Sequence, residues 1–247
     1  MPNSYFQFKQ FTVHQDKTAM KVTTDACLFG AWVASNLKPG TKSQEPVASN
    51  LLDIGTGTGL LALMLAQEVN CPIDAIEIDK DAFEQASGNV AASPWADRIK
   101  VIHADAKEFE FLHAYDVIMS NPPFYEKELK GDDHKKNMAH HNAGLLLPEL
   151  LKIIKENLSP PGHFFLLLPF KRNEEIRKLL LEQELALEQI TFVRQTVNHD
   201  YFRMMISGKL RPEIPAETII SEIAIKGSDG EYTSDFISLL KDYYLHL

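Results

Sequence analysis

The residues that could do chemistry fall in a few short stretches. Asp53-Ile54-Gly55-Thr56-Gly57-Thr58-Gly59 sets three glycines on alternate positions behind an acid. Glycines in a tight turn permit positive φ and let a ligand come close to the backbone. A helix N-terminus directly behind such a turn offers unpaired N–H groups to a polar or anionic ligand. The dinucleotide fingerprint is spaced G-x-G-x-x-G, whereas here the spacing is G-x-G-x-G. A carboxylate beside the turn disfavours a pyrophosphate and favours a cation, such as the amino group of an amino-acid-like ligand. Further on, Glu77 closes an apolar run and could accept both hydroxyls of a ribose. Asp105 occupies a similar place after the next run. Asn121-Pro122-Pro123-Phe124 offers a side-chain oxygen and a backbone carbonyl, two acceptors suited to the two hydrogens of a conjugated amine. The prolines stiffen that loop, so the carbonyl is aimed before a substrate arrives.

These groups need elements to hold them. Leu51 to Ile54 reads as a strand and Leu60 to Ala66 as a buried helix. Ile73 to Asp79, Ile99 to His103, Tyr115 to Ser120 and Gly162 to Leu168 read as further strands. The expected helices between and after them are Asp81 to Ala92, Leu145 to Asn157 and Asn173 to Glu184. Leu187 to Val197 and Phe202 to Lys209 leave no room for a helix between them and should pair antiparallel. The tail carries a strand-like Thr218 to Lys226 and a helical Ser234 to Leu245. Ahead of the glycine stretch, residues 5–14 read as a short strand or hairpin. A helix follows from Ala26 to Leu37, with Thr24 or Asp25 as its N-cap. Pro39-Gly40 ends it, and Thr41 to Ser49 is a linker.

Alternating βα units imply an α/β fold, a mostly parallel sheet with helices on both faces. A seven-stranded, Rossmann-like sheet ending in an antiparallel pair is expected. Such sheets bind ligands at the carboxyl ends of their strands, and the four polar sites all fall there. The 247 residues suit one domain, with residues 1–40 as an N-terminal β/α extension covering the cofactor site. A net charge of −9 argues against an indiscriminate nucleic-acid-coating surface but leaves room for a local basic patch. Cys27 and Cys71 lack metal-ligand spacing and suit a reducing cytoplasm. No signal peptide is evident, and no apolar run approaches the ~20 residues needed to span a bilayer. A cytoplasmic location is expected; a monomer is favoured, though the sequence does not show the oligomeric state.

The glycine stretch resembles motif I of S-adenosylmethionine-dependent methyltransferases. Glu77 resembles their ribose-binding acid, and Asp105 the residue that meets the adenine amino group. Asn121-Pro122-Pro123-Phe124 resembles the (N/D/S)PP(Y/F) motif of enzymes that methylate planar nitrogens. Two flanking segments narrow the match: Met20 to Trp32, and Tyr232 to Phe236 with Leu240 to Tyr244. These are similar to the bacterial tRNA(Val) (adenine-37-N6)-methyltransferase family. The resemblance implies a cofactor site for S-adenosyl-L-methionine built from Asp53, Gly55, Thr56, Gly57, Gly59, Glu77, Ile78, Asp105 and Ala106, with Thr24. It implies catalysis by Asn121, Pro122, Pro123 and Phe124, and a tRNA anticodon loop as partner. Tyr125 and Lys127 are candidates on the substrate side.

In that setting Asn121 and Pro122 would turn the amine's lone pair toward the methyl and stabilise the charge developing on nitrogen. Phe124 would stack on the extruded base. Glu126 to Asn142, with four lysines and three histidines, would be a solvated loop or a cover that orders on RNA; its spacing matches no usual metal site. Lys171-Arg172 and Arg177-Lys178 could contact phosphates or lie on a solvated helix face. Other acceptors stay open: a guanine N2 in ribosomal RNA, or a protein glutamine N5, presents nearly the same two hydrogens. A nicotinamide dehydrogenase and a non-catalytic RNA-binding module are the readings of a different class.

Overall fold

A computed structural model describes residues 3–18, 20–38, 48–123, 144–212 and 217–247. Its centre is β3 (Leu51–Ile54), buried at every position. A short apolar run buried on both faces is what an interior parallel strand requires. Beside it in the sheet lie β4 (Ile73–Glu77) and then β5 (Ile99–His103) on one side. On the other lie β6 (Tyr115–Ser120), β7 (Leu158–Pro169), β9 (Tyr201–Leu210), β8 (Leu185–Thr196) and β10 (Ile219–Lys226). Only β9 opposes the others, pairing antiparallel with both β7 and β8.

Among the described residues the sheet therefore has eight strands in place of the expected seven. The eighth, β10, runs parallel to β8 at the edge. Its first four residues, Ile219 to Glu222, are all exposed, so the strand shows none of the alternation that reports a buried face. It is held by ladder bonds, by the Thr191–Ser221 hydroxyl contact at 2.8 Å, and by Thr218 Oγ1 donating to the Leu187 carbonyl at 3.0 Å.

Helices cover both faces. On one lie α1 (Thr24–Leu37), α2 (Leu60–Glu68), α3 (Lys80–Ala91) and α6 (Ser234–Leu240). On the other lie α4 (Leu147–Asn157) and α5 (Asn173–Glu182). In α2 every residue from Leu60 to Ala66 is buried, as expected of a helix apolar all round. It sits under α1, where Gly30 leaves room for the Met64 thioether.

Several boundaries differ from the sequence reading. The N-cap of α1 is Thr23, not Thr24 or Asp25: its side chain accepts from the Ala26 amide at 3.4 Å. Strand β4 stops at Glu77, because Asp79 caps α3 through the Ala82 amide. Helix α5 ends at Glu182, with Glu184 turning at φ 54°. Helix α6 ends at Leu240, five residues before the expected Leu245. There Tyr243 and Tyr244 return their amides to the Leu240 carbonyl, and the Tyr243 hydroxyl reaches the Met64 carbonyl at 3.2 Å.

The N-terminal residues form a hairpin, β1 (Tyr5–Gln7) against β2 (Thr12–His14). It is pinned by Phe8 against Tyr244, by Phe11 against Trp95, and by the fully buried Val13.

Candidate active site

The four polar sites converge at the carboxyl edge of the sheet. Asp53 sits one residue before the end of β3, Glu77 ends β4, Asp105 lies two residues past β5, and Asn121 follows β6 directly. The glycine turn after β3 is left-handed at all three glycines: φ is +73° at Gly55, +58° at Gly57 and +81° at Gly59. Only glycine adopts these angles without strain. A Cβ at Gly55 or Gly57 would meet nothing within 4 Å, whereas at Gly59 it would lie 3.5 Å from the Ala86 Cβ. The first two glycines thus face open space, and the third packs the turn onto α3.

Asp53 is fully buried. Its Oδ2 accepts from the Thr56 hydroxyl at 2.6 Å, and among the described residues its Oδ1 has no hydrogen-bond partner. Burial pushes the carboxyl up to about 7, the Thr56 hydroxyl opposes this, the nearby Glu77 charge adds to it, and the Ala62 backbone amide opposes it by a smaller amount. A buried carboxylate with one orphaned oxygen needs a donor, and a cationic ligand group supplies one. Glu77 is nearly buried. Its Oε2 accepts from the Gly57 amide at 2.8 Å and its Oε1 from the Asp79 amide at 2.9 Å. Each oxygen keeps a lone pair for a ribose hydroxyl. Beside it the Ile78 side chain is 57% exposed, an apolar surface that a flat ring would cover. Asp105 Oδ1 caps its own turn through the Lys107 amide at 2.9 Å, while Oδ2 stands 3.9 Å from the Lys107 ammonium. Ala106 is buried behind it.

Asn121 is brought to this cleft by its neighbour. The Ser120 hydroxyl donates to the Ile54 carbonyl at 2.8 Å in the buried seam between β6 and β3. Gly55 and Asn121 are the next residues of the two strands, so the glycine turn and the Asn-Pro-Pro loop leave the sheet side by side. Pro122 is buried and Pro123 exposed. Among the described residues nothing hydrogen-bonds the Asn121 carboxamide. Phe124, Tyr125 and Lys127, and the Glu126 to Asn142 loop, lie outside the described residues.

The chain is 40% identical to a tRNA1(Val) (adenine(37)-N6)-methyltransferase of Flavobacterium johnsoniae, over 98% of this chain and all of that one. It is 39% identical to the enzymes of that name from Phocaeicola vulgatus and Cytophaga hutchinsonii, over the full length of both partners. It belongs to the tRNA1(Val) (adenine(37)-N6)-methyltransferase family. The family model described as "Methyltransferase small domain" matches residues 34–174, which include all four strand-end sites. Among solved structures, a predicted O-methyltransferase from Agrobacterium tumefaciens superposes with a TM-score of 0.61 at 14% identity, over 88% of this chain and 96% of that one. A putative class I S-adenosylmethionine-dependent methyltransferase from Listeria monocytogenes gives 0.58 at 13%, over 83% and 67%. At these identities the likeness is one of fold: a class I methyltransferase sheet. The cofactor of this family is S-adenosyl-L-methionine. The orphaned Asp53 oxygen, the open Gly55–Gly57 cradle and the free lone pairs of Glu77 fit its ammonium, its backbone approach and its ribose.

The structure gathers most of the residues expected from sequence, with different duties for some. Thr56 is buried and spends its hydroxyl on Asp53, so it orients the acid. Thr24 opens α1 and makes no side-chain hydrogen bond to the glycine turn among the described residues. Sequence reasoning missed Ser120, whose signal was its place directly before the Asn-Pro-Pro motif. It also missed Asn89 and Gln85, polar residues four apart on the buried face of α3.

Proposed function

We propose that this protein methylates the exocyclic N6 of adenine 37, next to the anticodon, in a valine tRNA. The observation that carries the reading is the Ser120–Ile54 bond, which sets Asn121 beside the glycine turn, within a family whose named members act on that adenine. Bound S-adenosyl-L-methionine supplies the electrophile, a methyl group on a sulfonium sulfur.

The protein's part is to hold and aim. Asp53 takes the amino group, Glu77 the ribose hydroxyls, and Asp105 the adenine amino group through its Oδ2, with Ile78 and Ala106 beside the ring. On the acceptor side, the Asn121 carboxamide oxygen and the Pro122 carbonyl take the two amino hydrogens of the target base. An arylamine is a poor nucleophile because its lone pair is delocalised into the ring. Two acceptors in fixed positions turn that pair out of the plane and stabilise the positive charge that grows on nitrogen. No strong base is required, since the product ammonium is acidic. Phe124 is assigned to stacking on the extruded base, with Tyr125 and Lys127 on the same side, from the sequence alone. An anticodon loop is partly single-stranded, so extruding its adenine costs little beside a duplex base.

The test offers labelled S-adenosyl-L-methionine with total unmodified tRNA, ribosomal RNA and a release-factor protein in parallel. Label in tRNA as N6-methyladenosine is expected. Label confined to ribosomal RNA or to protein would keep the cofactor and overturn the acceptor.

A further inference from the structure

Among the described residues, three buried carboxamides lie outside the chemistry just described: Gln15, Gln85 and Asn89, exposed by 6%, 7% and 2%. A buried amide is costly unless its bonds are made, so what each one bonds is informative. Asn89 spends its whole side chain on two backbone segments. Its Nδ2 donates to the His14 carbonyl at 2.8 Å and to the Thr58 carbonyl at 2.9 Å, and its Oδ1 accepts from the His14 amide at 2.9 Å. It therefore joins the end of β2 directly to the glycine turn. One helical turn earlier on α3, Gln85 Oε1 accepts from the Lys17 amide at 3.1 Å. Gln15 closes the loop between these points. Its Oε1 accepts from the Val22 amide at 2.7 Å and its Nε2 donates to the Asn3 carbonyl at 2.9 Å. The Lys21 ammonium returns to the Gln15 carbonyl, and the Thr18 hydroxyl to that of Met20 at 2.9 Å.

The far foot of the loop is fixed as well. Thr23 caps α1, and Asp25 pairs with Arg203 Nε at 2.7 Å. Arg203 lies opposite Pro169 at the carboxyl end of β7. Helix α1 packs on α2, and the Gly59 turn at the start of α2 packs on Ala86 of α3. The loop thus has one foot on α3, the helix against which the Gly59 turn packs, and the other on α1, the helix that packs on α2.

We propose that Gln15, Gln85 and Asn89 are positioning residues: they hold residues 15–18 and 20–22 as a fixed cover on the glycine turn and so set affinity for S-adenosyl-L-methionine. The inference rests on the cofactor assignment and not on the acceptor. A neutral amide suits this work because it donates and accepts at once. A carboxylate at position 89 would keep the His14 amide bond and turn both other contacts into oxygen facing oxygen. The two residues separate two effects, since Asn89 ties the glycine turn to His14, directly before the cover, whereas Gln15 ties the cover to Val22 and Asn3 and does not touch the turn.

The experiment measures S-adenosylhomocysteine binding by calorimetry in the full chain and in Asn89→Asp and Gln15→Met, with no RNA present. Amide exchange of residues 15–22 is followed with and without the same ligand. Affinity is expected to fall about tenfold in Asn89→Asp and several-fold in Gln15→Met. The ligand should slow exchange in the cover of the wild type and in neither variant. In turnover, KM for S-adenosyl-L-methionine should rise while kcat at saturation and KM for tRNA stay within about twofold, a split that general loss of fold would not give. Gln85→Met, which removes a single bond, should move affinity the same way by less and keeps the test open should either variant fold poorly. Unchanged affinity in Gln15→Met and Gln85→Met, or ligand-independent exchange in the wild-type cover, would overturn the proposal. Loss in Asn89→Asp alone would do so too, since it would leave only the turn's own bond at work. The binding and exchange readouts use no acceptor, so an error in the adenine assignment would leave them standing.

Discussion

Asp53 is a carboxyl with no exposure, one oxygen tied to Thr56 and the other waiting for a donor. With its proton held up to about 7, it binds a cationic amine best once ionised. Affinity for S-adenosylhomocysteine should therefore weaken as pH falls below 7, by up to about tenfold per unit. Asp53→Asn should flatten that dependence and lower affinity above pH 7, and calorimetry between pH 5.5 and 8.5 checks both. The sign for the ligand-free fold is the reverse. The unfolded carboxyl ionises near 3.8, so between there and 7 the folded state holds the proton more tightly and stability declines as pH rises. Asn121 is the complementary case. Asn121→Ala should abolish transfer, by at least the 10²–10³ that loss of one aimed electrostatic contact costs, while leaving ligand affinity within about twofold. A parallel loss of affinity would contradict the role given to it. Motif spacing puts both residues at strand ends, which is where they lie. Thr56, Ser120 and Asn89 were not legible in these roles, because a hydroxyl or amide reveals its partner only once two strands or a helix and a hairpin are brought together.

At the scale of elements, the alternating strands and helices announced themselves through apolar runs and turn residues, and the antiparallel β8–β9 pair through the absence of a helix between them. Strand β10 was legible as the strand-like run Thr218 to Lys226, but its place as an eighth strand parallel to β8 was not, because an edge strand bonded on one side carries no alternation that tells which neighbour it joins. Nor was the early stop of α6, which a tyrosine pair fixes by tertiary contact. One close approach in the sheet gives a sharp expectation. At Gly208 an added Cβ would come within 2.2 Å of the Ala186 carbonyl and 2.5 Å of the Phe164 ring, backbone and a fully buried side chain. Gly208→Ala should lower stability by about 1–3 kcal/mol through displacement of β8, read as a drop in the urea midpoint with an unchanged slope. In the glycine turn the outcome differs in kind. Gly57→Ala meets open space but a left-handed angle, so it should cost about 1 kcal/mol of stability and a larger share of ligand affinity, because the added methyl fills the cradle.

At the scale of the whole molecule, a cofactor that binds only the folded chain must raise its unfolding temperature. Saturation at a hundredfold excess over Kd adds about 2.7 kcal/mol, or roughly 5–10 °C for a chain of this size. Asp53→Ala should lose most of that shift at the same ligand concentration. The net charge of −9 places any RNA contact in a local surface rather than in an overall field, so tRNA binding should weaken with salt by a slope reflecting a few phosphates. The account as a whole comes down to one adenine. The most direct measurement is transfer of labelled methyl to a valine tRNA transcript and to the same transcript with adenine 37 replaced by guanine, followed by nucleoside analysis. One N6-methyladenosine in the first and no label in the second is the expected result. Equal labelling of both, or label in neither while ribosomal RNA or a release factor is methylated, would contradict it.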